Sequence, residues 1–343
     1  MKSNEILFRN EGGIGHITLN RPQALNALTQ EMCASMLGAL RAWADDSKVR
    51  LCAIDAVPGR AFCAGGDIRA ICEMGRRRDG SAAAFFTTEY RLNAAIRHFP
   101  KPYIALIDGI AMGGGVGVSI HGSHRVVSEK VIFAMPETAI GLFPDVGTTY
   151  VLSRLPGEIG MYLALTGGRI LAADMIYAGL ATHFVPSARI GDIAPRLIQG
   201  DAPDALLAGL TSDPGPSALG KHRGSIDRAF AAPSVEAILE ALANEGEWGR
   251  ETAALLGTRS PTSLKLTFRQ MHLAKTLDFD SCLRAEYRLM TQLLENHDLY
   301  EGVRAALIDK DQHPHWQPAS LTAVKDDDVS RYFELRNVTE LSL

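Results

Sequence analysis

The sequence predicts an α/β fold, with strands and helices alternating in the first half and a largely helical remainder. Three observations carry this prediction. Short apolar runs are separated by longer amphipathic stretches, the pattern of strands covered by helices. Glycine-rich segments follow several of those runs. From about Glu158 onward the apolar residues fall at helical rather than alternating spacing.

The elements are expected in this order. Residues 14–19 and 49–54 are strands, and between them residues 29–44 form a helix with Met32, Met36, Leu37, Leu40 and Trp43 on one face. Further strands are expected at 103–107, 125–127 and 131–134, the last leading straight into Met135-Pro136-Glu137. A last strand is expected at 182–185. Residues 201–224, rich in Pro, Gly, Ser and Asp, are expected to form an exposed connection. Beyond them, 235–256, 261–277 and 281–296 are expected to be helices, the second capped by Ser260 with Pro261 at its first position. We divide the chain into a catalytic core at 1–200 and a mainly helical region at 201–343.

Composition narrows the function classes. The 343 residues are 46% hydrophobic and 22% charged with a net charge of -4, which gives no basic footprint for nucleic acid. No apolar run approaches the ~20 residues needed to span a bilayer. Cys33, Cys52, Cys63, Cys72 and Cys282 are odd in number and lack the close pairs of a zinc or dithiol site, so reduced thiols are expected. Residues 1–15 show neither a secretory signal nor the Arg-rich, acid-poor character of a transit segment, so the expected compartment is the cytoplasm. His121 and His124 lie three apart without a third ligand nearby, and no metal is expected.

Three segments are candidates for chemistry. Cys63-Ala64-Gly65-Gly66-Asp67 has the small residues that let backbone amides approach a ligand, or it is a tight turn capped by Asp67. Met112-Gly113-Gly114-Gly115-Val116-Gly117 suits a nest of amides for developing negative charge, or close helix packing; it lacks the Gly-Lys-Ser/Thr ending of a phosphate loop. Residues 133–147 place Glu137 and Asp145 in a strongly apolar stretch bounded by glycine and proline, where an unpaired charge is costly unless it has a partner or a task. A helix cap and a turn residue are the plainer roles for this pair.

Taken with Asn20-Arg21-Pro22 and Asn26-Ala27-Leu28, these segments occur in the order and at the spacing of the crotonase superfamily, which the chain resembles from about Ile14 to Val185. The resemblance implies a ββα superhelix followed by a helical carboxyl-terminal region. It implies that the amides of Gly66 and Gly114 form an oxyanion hole for a CoA thioester. Hydratases of the superfamily use two glutamates; the first would fall at Gly117 here, the second survives as Glu137, and Asp145 stands where hydratases carry glycine. That combination resembles the 3-hydroxyisobutyryl-CoA hydrolases, as do Glu89-Tyr90-Arg91-Leu92-Asn93, Glu301-Gly302-Val303-Arg304-Ala305, Asp309-Lys310-Asp311, Trp316 and Pro318. Thr148-Thr149 depart from that family, which often has further glycines there.

The resemblance therefore implies hydrolysis of a short-chain 3-hydroxyacyl-CoA, with a place in valine catabolism. Glu137 would serve as nucleophile or general base and Asp145 would hold the substrate hydroxyl and water. Glu89 would contact substrate, although an ordinary solvated helix glutamate is its plainer reading. The CoA nucleotide would rest near residues 23–27 and 66–68. It implies no cofactor beyond the CoA of the substrate, and it is compatible with a homo-oligomer. The rival readings are a hydratase or isomerase working with Glu137 alone, and a non-catalytic CoA-binding scaffold.

Overall fold

The computed structural model describes residues 4–334 and 339–343. Residues 1–3, part of the stretch read for targeting character, and 335–338, within the expected helical region, lie outside the described residues. The chain divides into two units. One comprises Met1–Asp67, Arg91–Ala134 and Arg169–Gly220; the other comprises Ile68–Tyr90, Met135–Gly168 and Lys221–Leu343.

The first unit holds two sheets. Its strands are β1 (Ile6–Glu11), β2 (Ile14–Leu19), β3 (Leu51–Ala56), β4 (Ala61–Cys63), β5 (Tyr103–Ile107), β6 (Ile110–Met112), β7 (His124–Val127), β8 (Ile132–Ala134) and β9 (His183–Phe184). The larger sheet has the order β1-β2-β3-β5-β7-β9 and the smaller β4-β6-β8. Among the described strands only β1 and β2 pair antiparallel; the other strand-to-strand pairings are parallel. In three successive pairs, β3–β4, β5–β6 and β7–β8, the first strand joins the large sheet and the second the small one, the repeated step of a ββα spiral. Sequence patterning located β2, β3, β5, β7, β8 and β9 but not β1, β4 or β6. The last two are three residues long, too short to show a period of two.

The core of this unit explains the apolar runs. Ile14, Leu51, Ala53, Ile104, Leu106 and Val126 on one sheet face pack with Ile190, Ile193, Leu197, Leu206, Leu207 and Leu210. Cys52 and Ile54, pointing to the opposite face, are buried too, as expected for a parallel sheet covered on both sides. The helix Gln30–Asp45 starts at Thr29, whose hydroxyl accepts from the Met32 amide at 3.2 Å, and it buries the six residues Met32, Cys33, Met36, Leu37, Leu40 and Trp43.

Residues 201–224 are not an exposed connection. Pro203–Leu210 is a helix with proline in its first turn, and its three leucines enter the core. The helix Ala218–Phe230 also begins inside the stretch, so only 201–202 and 211–217 are irregular.

The second unit is helical. The expected helix at 235–256 is two, Val235–Leu242 and Gly246–Leu256, parted where Gly246 takes a φ of 67°. Pro261–Ala274 is capped by Ser260, whose hydroxyl accepts from the Ser263 amide at 3.1 Å. Phe279–Leu293 is capped by the Asp278 carboxylate on the Ser281 amide at 2.7 Å. Both caps satisfy amides that the first turn leaves without intrahelical partners.

Candidate active site

The three strands of the small sheet end on the three segments singled out in the sequence. Cys63 runs into Gly65-Gly66, Met112 into Gly113-Gly114, and Ala134 into Met135-Pro136-Glu137.

In the first unit, Leu28 bridges Gly66 in a parallel pairing. That bridge uses the Leu28 amide on the Gly65 carbonyl at 2.8 Å and the Asp67 amide on the Leu28 carbonyl at 2.9 Å, and so leaves the Gly66 amide out of it. Gly113 has a φ of 49° and precedes the single helical turn Gly114–Gly117, whose first amides have no intrahelical acceptor. The two loops are neighbours: a Cβ built on Gly65 would stand 3.8 Å from the Gly114 nitrogen. Gly115 is required by close approach, because a Cβ there would meet the Cys63 carbonyl oxygen at 2.1 Å.

The Asn20 to Leu28 segment is knitted to the same place. Asn26 is buried, accepts from the Arg21 amide at 2.8 Å and donates to the Ala61 carbonyl at 2.9 Å. The Arg21 guanidinium reaches Asp67 at 2.9 Å.

In the second unit, three carboxyls named from the sequence are buried together. Glu89 is 2% exposed, while Glu137 and Asp145 are each 6% exposed. Burial raises Glu89 well above the ordinary carboxyl range, and the Asp145 charge adds to the effect. Glu137 is likewise raised well above the ordinary carboxyl range, first by burial and then by Asp145 and Glu89. Asp145 is pushed up to about 7 by burial, against the hydrogen bond from Tyr90 that favours its ionised form. One oxygen of Glu89 and one of Glu137 have no hydrogen-bond partner. Buried polar atoms without partners are rare; Asn93 and Gln270 carry them too, and those of Glu89 and Glu137 fall on residues that the resemblance assigns to substrate and chemistry.

Glu137 is fixed by backbone. It opens the 3-10 turn Glu137–Ile140, and its carbonyl accepts from Leu142 at 2.9 Å. The next residue, Thr138, donates its hydroxyl to the Leu165 carbonyl at 3.1 Å and accepts the Ser260 amide at 3.1 Å. Asp145 sits before a strained turn: Val146 has a φ of 52° and Gly147 of 77°. A β-branched residue in the left-handed region costs about 1–3 kcal/mol and persists only where its surroundings hold it.

Tyr90, Glu286 and Thr149, grouped around Asp145, were missed by sequence reasoning as site residues. Tyr90, fully buried, donates its hydroxyl to Asp145 Oδ2 at 2.7 Å. Glu286, also fully buried, accepts from the Gly147 amide at 2.7 Å and from the Thr149 amide at 3.4 Å, and takes the Thr149 hydroxyl on the same oxygen as the latter. Burial pushes Glu286 up to about 8. A signal for it exists in the sequence: in Phe279–Leu293 it occupies the buried face, among Cys282, Leu283, Leu289 and Met290. A charge on an apolar stripe needs an explanation.

With this geometry in view, the comparisons with known proteins define the class. The family model described as "Enoyl-CoA hydratase/isomerase" matches residues 14–333. The chain belongs to the enoyl-CoA hydratase/isomerase family, the crotonase fold expected from its motifs. It is 46% identical to the mitochondrial 3-hydroxyisobutyryl-CoA hydrolase of Xenopus tropicalis, over 100% of this chain and 92% of that protein. It is 43% identical to the Homo sapiens protein of the same name, over 99% and 91%. Among solved structures it is similar to a carnitinyl-CoA dehydratase from Mycobacterium thermoresistibile, with 42% identity, a TM-score of 0.95 and 99% of both chains covered. An enoyl-CoA hydratase from Rhodobacter sphaeroides 2.4.1 has 38% identity and a TM-score of 0.93 over 99% of this chain and 100% of the other.

These names correct one expectation. The relatives are mitochondrial, which overturns the cytoplasmic assignment. Buried free thiols do not tell one reducing compartment from another, and compartment is set by an address rather than by the packing of a fold.

Proposed function

We propose that this chain hydrolyses 3-hydroxyisobutyryl-CoA to 3-hydroxyisobutyrate and CoA, the reaction named for its curated relatives and one that would serve valine degradation. The observation that carries the reading is the buried group of Glu89, Glu137 and Asp145, with Gly117 at the position of the first hydratase glutamate. A single acid/base glutamate would suffice for isomerisation, but it would leave Asp145 and its Tyr90 support without a task.

The Gly66 and Gly114 amides receive the developing charge on the thioester oxygen; one such donor is typically worth about 3–4 kcal/mol of transition-state stabilisation. Glu137 either attacks the acyl carbon or takes a proton from water. Burial makes its ionised form a stronger base while shrinking the ionised fraction. Asp145 accepts the substrate 3-hydroxyl and orients water, and Glu89 contacts the acyl group. No metal or cofactor enters the reading, because backbone amides meet the demand for charge stabilisation.

The solved relatives favour a second reading, since one is titled a dehydratase and the other a hydratase. The two readings differ in product. An assay of free CoA thiol against 3-hydroxyisobutyryl-CoA, run beside hydration of crotonyl-CoA, separates them. Thiol release is the expected outcome; efficient hydration without thiol release would replace hydrolysis with the second reading.

A further inference from the structure

We propose that Glu286 and Thr149 are positioning residues for Asp145, locking the strained turn that aims its carboxyl. The inference rests on the proposed role of Asp145 in holding the substrate hydroxyl.

Asp145 is followed by two consecutive left-handed residues, Val146 and Gly147, and the first of these is β-branched and buried. Such a turn relaxes unless it is held. It is held from both sides. Its own end is closed by Thr148, whose amide and hydroxyl both donate to the Asp145 carbonyl, at 2.9 and 2.7 Å. Its far end is closed by Glu286: Oε2 accepts the Gly147 amide at 2.7 Å, while Oε1 takes the Thr149 amide and hydroxyl. The Glu286 carboxyl thus bonds Gly147 and Thr149 beyond Val146 and fixes the backbone that the strain would otherwise open.

The neighbouring residue on the same helix supports the other end of the arrangement. Tyr287 packs edge-on against Tyr90, with ring centroids 6.3 Å apart, and accepts the Thr87 hydroxyl at 3.0 Å. Tyr90 in turn donates to Asp145. Adjacent residues of Phe279–Leu293 therefore fix Asp145 twice, through its backbone turn and through its hydrogen-bond donor. Cys282, one turn earlier, interacts with the Thr149 hydroxyl. Glu286 touches none of the reacting groups in this account; it works through the turn.

The test is a double-mutant cycle read on two thioesters that differ only in the 3-hydroxyl, 3-hydroxyisobutyryl-CoA and isobutyryl-CoA. Thr149→Val keeps the volume and removes the hydroxyl, Thr149→Ser keeps the hydroxyl, and Glu286→Gln keeps size while weakening acceptance. Thr149→Val and Glu286→Gln should each lower kcat/KM in the same substrate-dependent pattern as Asp145→Gly, by roughly tenfold for the affected ester, about one hydrogen bond's worth. Thr149→Ser should restore the native pattern. In the Asp145→Gly background the Thr149→Val loss should vanish, since the carboxyl it aimed is gone. The inference is overturned if Thr149→Val costs the same with and without Asp145, or if Thr149→Ser behaves like Thr149→Val. The reading of Asp145 itself fails separately, if Asp145→Gly depresses both esters equally. The Thr149 and Glu286 variants would then still be required to follow that equal pattern.

Discussion

The glycine loops of the first unit and the carboxyl cluster of the second are built on opposite principles. Around Gly66 and Gly114 the atoms proposed to act are main-chain amides, held by strand ends, by the Leu28 bridge and by the approach of Gly115 to Cys63. Around Glu137 they are side-chain carboxyls, buried where ionisation is disfavoured and propped by Tyr90, Thr149 and Glu286. The amides keep one protonation state, whereas the carboxyls can change theirs. The first region should therefore set a pH-independent floor of transition-state stabilisation, and the second should make rate and stability depend on pH.

The largest effect should come from removing the one carboxyl given a bond-making task. Glu137→Gln preserves shape and removes the nucleophile or base, so kcat should fall by roughly a hundredfold to ten-thousandfold on any accepted thioester. Near-native hydrolysis by this variant would transfer the chemistry to another group.

Asp145→Gly should divide the carboxyl cluster into its two tasks. It leaves Glu137 and the glycine loops in place and removes the acceptor for the substrate hydroxyl. The loss in kcat/KM should be on the order of tenfold or more greater for 3-hydroxyisobutyryl-CoA than for isobutyryl-CoA. Equal losses would assign Asp145 to the general chemistry.

Gly115→Ala tests the other region. A Cβ 2.1 Å from the Cys63 carbonyl oxygen forces two backbone segments apart. Overpacking of this kind costs about 1–3 kcal/mol, visible as a lower Tm or denaturation midpoint. Because the Gly114 amide moves with its neighbour, kcat should fall by the same factor for both esters. A selective loss on the hydroxylated ester would break the division of labour between the two regions.

The contrast also explains what could be read from the sequence. The glycine loops were legible as candidates because the chemistry proposed for them is local: each lies within a few residues, after a strand, with several glycines together. Glu137 and Asp145 were legible as charges in an apolar stretch. Glu286 was not recognised, since it lies 139 residues from the Gly147 amide it binds, and that pairing leaves no local signature. Tyr90 was quoted as part of a family-like run, but its bond to Asp145 spans 55 residues. Strands β4 and β6 were missed because three residues carry no period, although the loops that follow them were found; β8, equally short, was found as the apolar run 131–134. The stretch 201–224 misled because its prolines and glycines were weighed above the spacing of Leu206, Leu207 and Leu210.

The smallest predicted effect concerns the stability of the carboxyl region without substrate. Burial raises Glu286 from 4.5 to about 8 and Asp145 from 3.8 to about 7, and Glu89 and Glu137 move the same way. An acid whose folded value lies above its unfolded value stabilises the fold fully below the unfolded value, and that contribution is lost as pH rises through the folded one. Exposed acids do not offset this near neutrality, because Glu245 and Glu301, lowered to about 2, are ionised in both states. His183, lowered by burial, acts in the opposite sense only on the acid side, where an unfolded histidine still gains a proton. The Tm of the substrate-free protein should therefore fall as pH rises from about 7 to about 8.5, at fixed ionic strength. Glu286→Gln removes the titration centred in that window and should make the decline shallower, whatever it does to absolute stability. A Tm that stays level or climbs over this range in the unmodified protein would show that the cluster relaxes or hydrates instead of holding its protons. An unchanged slope in Glu286→Gln would locate the titration in Asp145, Glu89 and Glu137.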